Sequence, residues 1–251
     1  TCFQSEWLKK KRTAASWLVL IGGLFIPLII LIARLINTDT LYSSTVNPHF
    51  WEKLCNQCWQ FMAVFLLPMG VILASSLITQ LEYRNNTWKQ LHATPQSYPV
   101  IFFSKLSLIL VMMFQFFLLF NVGIFLAGII PSLIFGGVPL PYEAFPFYYF
   151  LKVSAYYFIC CLPIIGLQYL LSMHFKNFLL PLGAGIGLLV ASLIAVQWKH
   201  GYTVPYTYCL LQFIQGKTTP NGFNIHLLAL GYFVMFTVAG YVLYVRKKIK
   251  G

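Results

Sequence analysis

The chain has 251 residues, of which 59% are apolar, 18% are aromatic and only 9% are charged, and its formal net charge is +12 at pH 7. A soluble domain is typically about 25% charged, so this chain has too few polar groups to cover a water-soluble globule. The composition therefore argues against a soluble protein with a large core and predicts a chain that lies mostly in a lipid bilayer.

Six apolar runs have almost no charges and approach the roughly 20 residues that cross a hydrocarbon core. Runs in lipid must pair their own backbone groups, and the alternating pattern of barrel strands is absent from this sequence. The sequence thus predicts an all-α, polytopic membrane protein with six transmembrane helices in a single transmembrane domain, 1–251. The predicted spans are approximately 14–36, 58–80, 99–130, 150–173, 177–198 and 225–245. Pro131, Gly136 and Gly137 are expected to end the third helix.

The basic residues predict the orientation of these spans. Most of the 17 Lys and Arg residues lie near the two termini, after the second span and in the turn after the fourth. The positive-inside rule then places both termini in the cytoplasm. Basic residues beside span ends are attracted to anionic lipid headgroups, so the charge indicates contact with membrane lipids and not with a nucleic acid.

The segment before the first span has aromatic and apolar residues at helical spacing, followed by a basic cluster. This pattern is typical of a short helix that lies in the membrane interface. The alternative is a basic stop that only flanks the first span. The residues assigned to this interfacial helix are Phe3, Glu6, Trp7, Lys9 and Lys10.

Polar residues inside the predicted spans are few, and they include Ser75, Ser76, Gln115 and Asn121. They either form hydrogen bonds between helices, worth about 0.6 kcal/mol each, or line a substrate path. No acidic residue lies deep within a predicted span. Intramembrane enzymes and proton-driven carriers usually need such groups, so both functions are disfavoured.

The polar stretch 82–105, after the second span, is the best candidate for contact with a cytoplasmic partner. Its first part has good helix N-cap residues, and Trp88 and Leu91 share one helical face. Pro95 ends such a helix, and Ser97 can cap the next one. The stretch is either a docking helix or a solvated connector. The residues assigned to it are Glu82, Asn85, Asn86, Thr87, Trp88, Lys89 and Leu91.

The fifth span has small residues at four-residue spacing, Gly183, Gly187 and Ala191. Small residues on one face let two helix backbones approach closely. The spacing therefore predicts a tight helix contact, either within the chain or across a dimer.

Cys55 and Cys58 form a C-x-x-C pair at the start of the second span. A disulfide requires an oxidising compartment, and zinc requires four ligands where this motif supplies two. Two ordinary helix cysteines are the simpler interpretation, and no metal or cofactor site is predicted for this chain.

Two segments resemble the membrane permease subunit of type-2 ABC exporters. The segment Phe3–Leu20 is similar to the family's opening, with an acidic residue, a basic cluster and then the first span. The second segment is similar to the family's pattern of a glutamate, an N-T-W centre, a leucine, a proline and a lysine. Here these residues are Glu82, Asn86, Thr87, Trp88, Leu91, Pro95 and Lys105.

This resemblance implies that the chain is not itself an enzyme and binds no cofactor. ATP and Mg would be bound by two cytoplasmic ABC ATPase subunits, docked on the loop after span two. A second permease chain, identical or homologous, would complete the transporter in a bacterial cell membrane. The segment before span six would return toward the membrane as short helices.

Similar small permeases confer immunity to lantibiotic or bacitracin-type peptides. The implied function is export of an amphipathic or hydrophobic substrate, such as a peptide antibiotic or a lipid-like molecule. The alternative is a membrane anchor that transports nothing and recruits an ATPase to a larger envelope machine.

Overall fold

The structure is a computed structural model that describes residues 14–84, 97–175, 177–215 and 222–249. Helices make up most of this part of the chain. In chain order they are α1 (Ala14–Ile36), α2 (Thr38–Thr45), α3 (Phe50–Phe61), α4 (Leu67–Arg84), α5 (Tyr98–Ile134), α6 (Phe147–His174), α7 (Leu179–Ala195), α8 (Tyr208–Gln215) and α9 (Ile225–Ile249).

Five of the described helices are long and apolar enough to cross a membrane. They are Ala14–Ile36, Phe50–Thr79, Tyr98–Ile134, Phe147–His174 and Ile225–Arg246. This finding confirms the predicted all-α, multi-pass membrane protein. Helix α7, the predicted fifth span, is apolar but has only 17 residues. The six-span count and the cytoplasmic termini stay predictions.

Local sequence explains where α5 begins and ends. Ser97 occupies the N-cap position with φ −70° and ψ 146°, as the sequence predicts, and Pro99 lies in the first turn. The Ser97 side chain makes no capping hydrogen bond. Pro131 lies in the last turn, and Gly136 and Gly137 follow the helix end at Ile134. With 37 residues, α5 is about 55 Å long, so it extends beyond a hydrocarbon core of about 30 Å.

Helices α3 and α4 form one continuous rod that contains a π-helical turn, Met62–Leu66. Pro68 follows this turn and supplies no backbone N–H, and its ring would clash with a carbonyl one turn earlier in a regular α-helix. The wider π-helical turn therefore accommodates the proline without breaking the helix. Cys55 and Cys58, on the same rod, are buried free thiols.

The centre of the bundle is α6. It packs most extensively against α9 and then against α4, while α1 packs along α5. Aromatic side chains join the helices: the Trp59 ring stacks on Tyr157 with ring centroids 3.8 Å apart, and it contacts the rings of Phe117 and Phe120. These contacts connect α3, α5 and α6 in one apolar core.

The connection between α7 and α9 folds back into the bundle. Two 3-10 turns, Gly201–Thr203 and Pro205–Thr207, lead into α8, and Thr207, Tyr208 and Cys209 are fully buried. This return is the one that the family resemblance implies.

Contacts with α6 show how far this connection extends into the bundle. Tyr206 reaches Gln168, which lies about 30 Å along α6 from the start of that helix. Cys209 lies beside Cys161 of α6, with their Sγ atoms 3.6 Å apart. The connection is therefore part of the core and does not merely cover its end.

Candidate functional site

A buried amide at the centre of the bundle joins three helices and the returning connection. Gln168 Nε2 donates to Ser76 Oγ at 2.9 Å and to the Pro181 carbonyl at 2.7 Å. Gln168 Oε1 accepts a hydrogen bond from Tyr206 Oη at 3.3 Å. We call Gln168, Ser76, Tyr206 and the Pro181 carbonyl the Gln168 cluster. It links α6, α4, the start of α7 and the connection before α8.

The Gln168 cluster satisfies its polar groups without water. Gln168, Ser76 and Tyr206 are all buried. The Tyr206 hydroxyl is the donor in its hydrogen bond to Gln168 Oε1. A buried polar network that is fully paired fixes the relative position of the elements it joins, so these elements are coupled.

Helix α7 approaches this cluster at a glycine that the sequence prediction left out of its small-residue face. A Cβ atom at Gly185 would lie 2.7 Å from Gln168 Oε1 and 2.7 Å from Ile72 Cγ2. Gly185 is therefore the residue that permits close packing of α7 within the chain.

The predicted face of Gly183, Gly187 and Ala191 lies on the other side of α7. A Cβ atom at Gly183 or Gly187 would have no atom within 4 Å, and Ala191 is exposed. The described part of the chain does not cover this face. Its role in contact with another chain stays a prediction.

A second polar pair lies between α5 and α6, closer to the Phe135–Pro146 end of the bundle. Asn121 Nδ2 donates to the Phe117 carbonyl and to Ser154 Oγ, both at 2.8 Å. Asn121 Oδ1 is buried and has no hydrogen-bond partner in the described part of the chain. The pair ties the two helices together at one point.

The same helices enclose an apolar cleft of about 560 Å³, which we call the α5–α6 cleft. Seven phenylalanines contribute to its walls, and Asn121 and Ser154 are its polar lining side chains. Phe145 helps to close one end, since its ring packs on Phe125 and on Phe150 with centroid distances of 5.1 and 4.4 Å. The Trp51 ring makes an edge contact with the Phe145 ring. Trp51 Nε1 also donates a hydrogen bond to the Glu143 carbonyl at 2.9 Å.

The four residues proposed to line a path do not meet. Ser76 belongs to the Gln168 cluster, and Asn121 lines the α5–α6 cleft. Ser75 is buried on α4, where its hydroxyl has no hydrogen-bond partner among the described residues, and Gln115 is half-buried on α5. A path lined by these four side chains stays a prediction.

The predicted partner contacts fall mostly outside the described residues. This applies to the interfacial-helix residues Phe3, Glu6, Trp7, Lys9 and Lys10 and to the loop residues Asn85, Asn86, Thr87, Trp88, Lys89 and Leu91. The backbone of Glu82 lies in the last turn of α4, but its side chain is outside the description. Lys105, the lysine of the same motif, is on α5 and only 1% exposed, so it points into the protein.

The fold defines an α-helical, multi-pass membrane protein. Residues 2–192 match the family model described as ABC-2 family transporter protein. The chain therefore belongs to the ABC-2 transporter family, and the match includes α1 to α6 and most of α7. No curated protein and no solved structure gives a significant match.

The family fixes the general role of the chain. It is the transmembrane subunit of an ABC transporter, a type-2 ABC permease, and not the ATPase itself. Its general partner is an ABC ATPase.

Proposed function

We propose that this chain is one half of the permease of an ATP-driven exporter that expels an amphipathic or hydrophobic substrate, a peptide antibiotic or a lipid-like molecule. We assign it to the lantibiotic- or bacitracin-immunity group of these permeases, on the resemblance of its two motif segments. The observation that carries the proposal is a contrast within the chain. Its described core is closed by aromatic side chains and by the Gln168 cluster, whereas its apolar flanks are not covered by the described part of the chain.

The closed core supports a path at the edge of the chain. Trp59 stacks on Tyr157, and the Gln168 cluster fills the space between α4, α6 and α7. A bulky substrate cannot pass through these contacts without breaking them. The path would therefore run between two permease chains, or between a chain and lipid.

The outward side of α7 supports pairing with a second permease chain. Gly183, Gly187 and Ala191 are spaced by four residues, and no described residue covers them. Small residues favour close helix approach in membranes. The flank of α1 is also exposed, with large apolar residues such as Trp17 and Ile21. The second chain is identical or homologous to this one.

The Gln168 cluster supplies a mechanical route from a cytoplasmic ATPase. Helix α4 ends at Arg84, where the loop proposed to contact the ATPase begins, and Ser76 lies about two turns earlier in that helix. Movement of the loop would displace α4, and Ser76 would pass that displacement to Gln168 and hence to α6 and α7. Transport requires two packings that bind the substrate with different affinity.

The test is coexpression with the cognate ABC ATPase and purification of the complex from a bacterial membrane. Trp88→Ala combined with Leu91→Ala should abolish ATPase retention and substrate-stimulated ATP turnover. The matched control is Trp198→Ala, which removes an exposed tryptophan near the far end of α7, and it should change neither.

Two outcomes would contradict parts of this proposal. Full ATPase retention in the double variant would show that the loop is not the docking contact. Retained ATPase with no movement of peptide or lipid substrates in vesicles would favour the anchor that transports nothing.

A further inference from the structure

The α5–α6 cleft opens on a flank that the described part of the chain leaves uncovered. Phe114 on α5 is 62% exposed, and Phe147 and Leu151 on α6 are 74% and 69% exposed. Such residues face hydrocarbon in a membrane protein. The cleft is thus open to lipid and lies on different helices from the small-residue face of α7.

The shape of the cleft suits a single hydrocarbon chain. Its walls are formed by residues 114–125 of α5 and 147–159 of α6, which span about 17 Å along the helix axes. Its volume of about 560 Å³ lies within the usual range of small-molecule sites. A long, narrow and aromatic space of this kind accepts a flexible chain better than a compact ring system.

The polar pair in the wall does not call for a polar ligand group at this depth. Both Nδ2 hydrogens of Asn121 are used, one by the Phe117 carbonyl and one by Ser154 Oγ. Asn121 Oδ1 is buried away from the open space. The surface offered to a ligand is therefore almost entirely hydrocarbon.

A positive charge lies beside the cleft. Lys152 follows Leu151 of the cleft wall, its side chain is exposed, and its Nζ lies 5.8 Å from the centroid of the Tyr148 ring. A lysine near a helix end extends its ammonium group toward the lipid headgroups, where it attracts phosphate and repels cationic peptides. The charge therefore favours a lipid over a cationic peptide antibiotic.

We propose that the α5–α6 cleft binds one acyl chain of an anionic membrane phospholipid, whose phosphate is held by Lys152. This site goes beyond the proposed transport function. It requires neither ATP nor a second permease chain, and its occupant is a lipid of the bilayer in which the protein resides.

The test uses the full chain in vesicles that contain a photoactivatable phosphatidylglycerol with a diazirine on one acyl chain. After illumination, labelled peptides are identified by mass spectrometry. Labels should concentrate on residues 114–125 and 147–159. Equal labelling of all the exposed helix flanks would overturn the proposal, because it would show only general contact with lipid.

A matched pair of substitutions tests whether the cleft is the site. Val122→Trp fills the cleft from α5, whereas Val238→Trp places the same side chain on the exposed flank of α9. We expect at least about a tenfold loss of cleft labelling in the first variant and none in the second. Ala155→Phe fills the cleft from α6 and should cause the same loss of labelling. It replaces Val122→Trp in the test if Val122→Trp does not fold. Unchanged labelling in a folded cleft-filling variant would overturn the site.

A second pair tests the headgroup. Lys152→Gln should lower phosphatidylglycerol labelling about fivefold, the effect expected for one lysine near the surface, and Lys199→Gln should not. Phosphatidylcholine with the same diazirine chain should label the wild-type cleft less than phosphatidylglycerol does.

Three results would contradict the assignment of an anionic phospholipid as the occupant of the cleft. They are equal labelling by the two lipids, equal effects of Lys152→Gln and Lys199→Gln, and preferential labelling by a cationic amphipathic peptide that carries the diazirine.

Discussion

The small-residue face of α7 and the α5–α6 cleft are both apolar, and the described part of the chain covers neither, but they differ in what they can bind. Gly183, Gly187 and Ala191 give α7 an almost smooth surface, against which another helix can pack closely. The phenylalanines of the cleft project from two helices and leave space between them. Small residues on an exposed flank therefore favour a neighbouring helix, whereas large residues with a cleft between them favour a lipid.

The first test compares the inward and outward sides of α7, and it has the largest expected effect on stability. Gly185→Ala places a Cβ atom 2.7 Å from Gln168 Oε1 and Ile72 Cγ2, so these side chains or the helix that carries residue 185 must shift. Overpacking of this kind typically costs about 1–3 kcal/mol. Gly187→Ala meets no other described part of the chain within 4 Å and should leave the free energy of unfolding of the single chain nearly unchanged. Denaturation in mixed micelles measures both, and equal destabilisation would contradict the assignment of the inward side.

The Gln168 cluster gives the second test. Gln168→Leu removes three hydrogen bonds, to Ser76, the Pro181 carbonyl and Tyr206. At about 0.6 kcal/mol for each bond in a membrane protein, the free energy of unfolding should fall by about 2 kcal/mol. Tyr206→Phe removes one of the three bonds and should cost about a third as much.

The same cluster carries the proposed coupling, so these variants also need a functional measurement. Gln168→Leu should lower substrate-stimulated ATP turnover while the ATPase stays bound. Normal stimulation in Gln168→Leu would show that the cluster only holds the fold together.

The third and smallest expected effect concerns the outward side of α7. Gly187→Leu adds a bulky side chain where a partner helix is proposed to approach. We expect the affinity between the two permease chains to fall about tenfold, or about 1.4 kcal/mol, with little change in the stability of one chain. Dimer fractions in lipid at increasing dilution measure this effect. An unchanged fraction would mean that α7 faces lipid.

Much of the helical architecture could be predicted because its signals are local. A charge-free apolar run predicts α1, and the Ser97 and Pro99 positions predict the start of α5. The rod of α3 and α4, which is the second predicted span, begins at Phe50 and not near residue 58 as predicted. Glu52 and Lys53 interrupt the apolar run in the sequence, but the helix continues through them. Charged residues therefore shift the span boundary that hydropathy predicts, although they do not end the helix.

The site could be predicted only in part, because its key contacts join residues far apart in the chain. Ser76 has a plain signal, a polar residue in an apolar span, but nothing near it in sequence indicates Gln168 or Tyr206 as partners. Four-residue spacing places Gly183, Gly187 and Ala191 on one face of α7. Spacing does not show which face the rest of the bundle covers, and Gly185 is on the covered side.

Chemical cross-linking in the native membrane tests the difference between the two flanks most directly. Five of the six cysteines are buried free thiols, so a Cys2→Ser background leaves few reactive thiols. In that background, Gly187→Cys should give a covalent permease dimer with a short bifunctional thiol-specific cross-linker. Val122→Cys in the cleft should not. Dimer formation through Val122→Cys with none through Gly187→Cys would contradict the account.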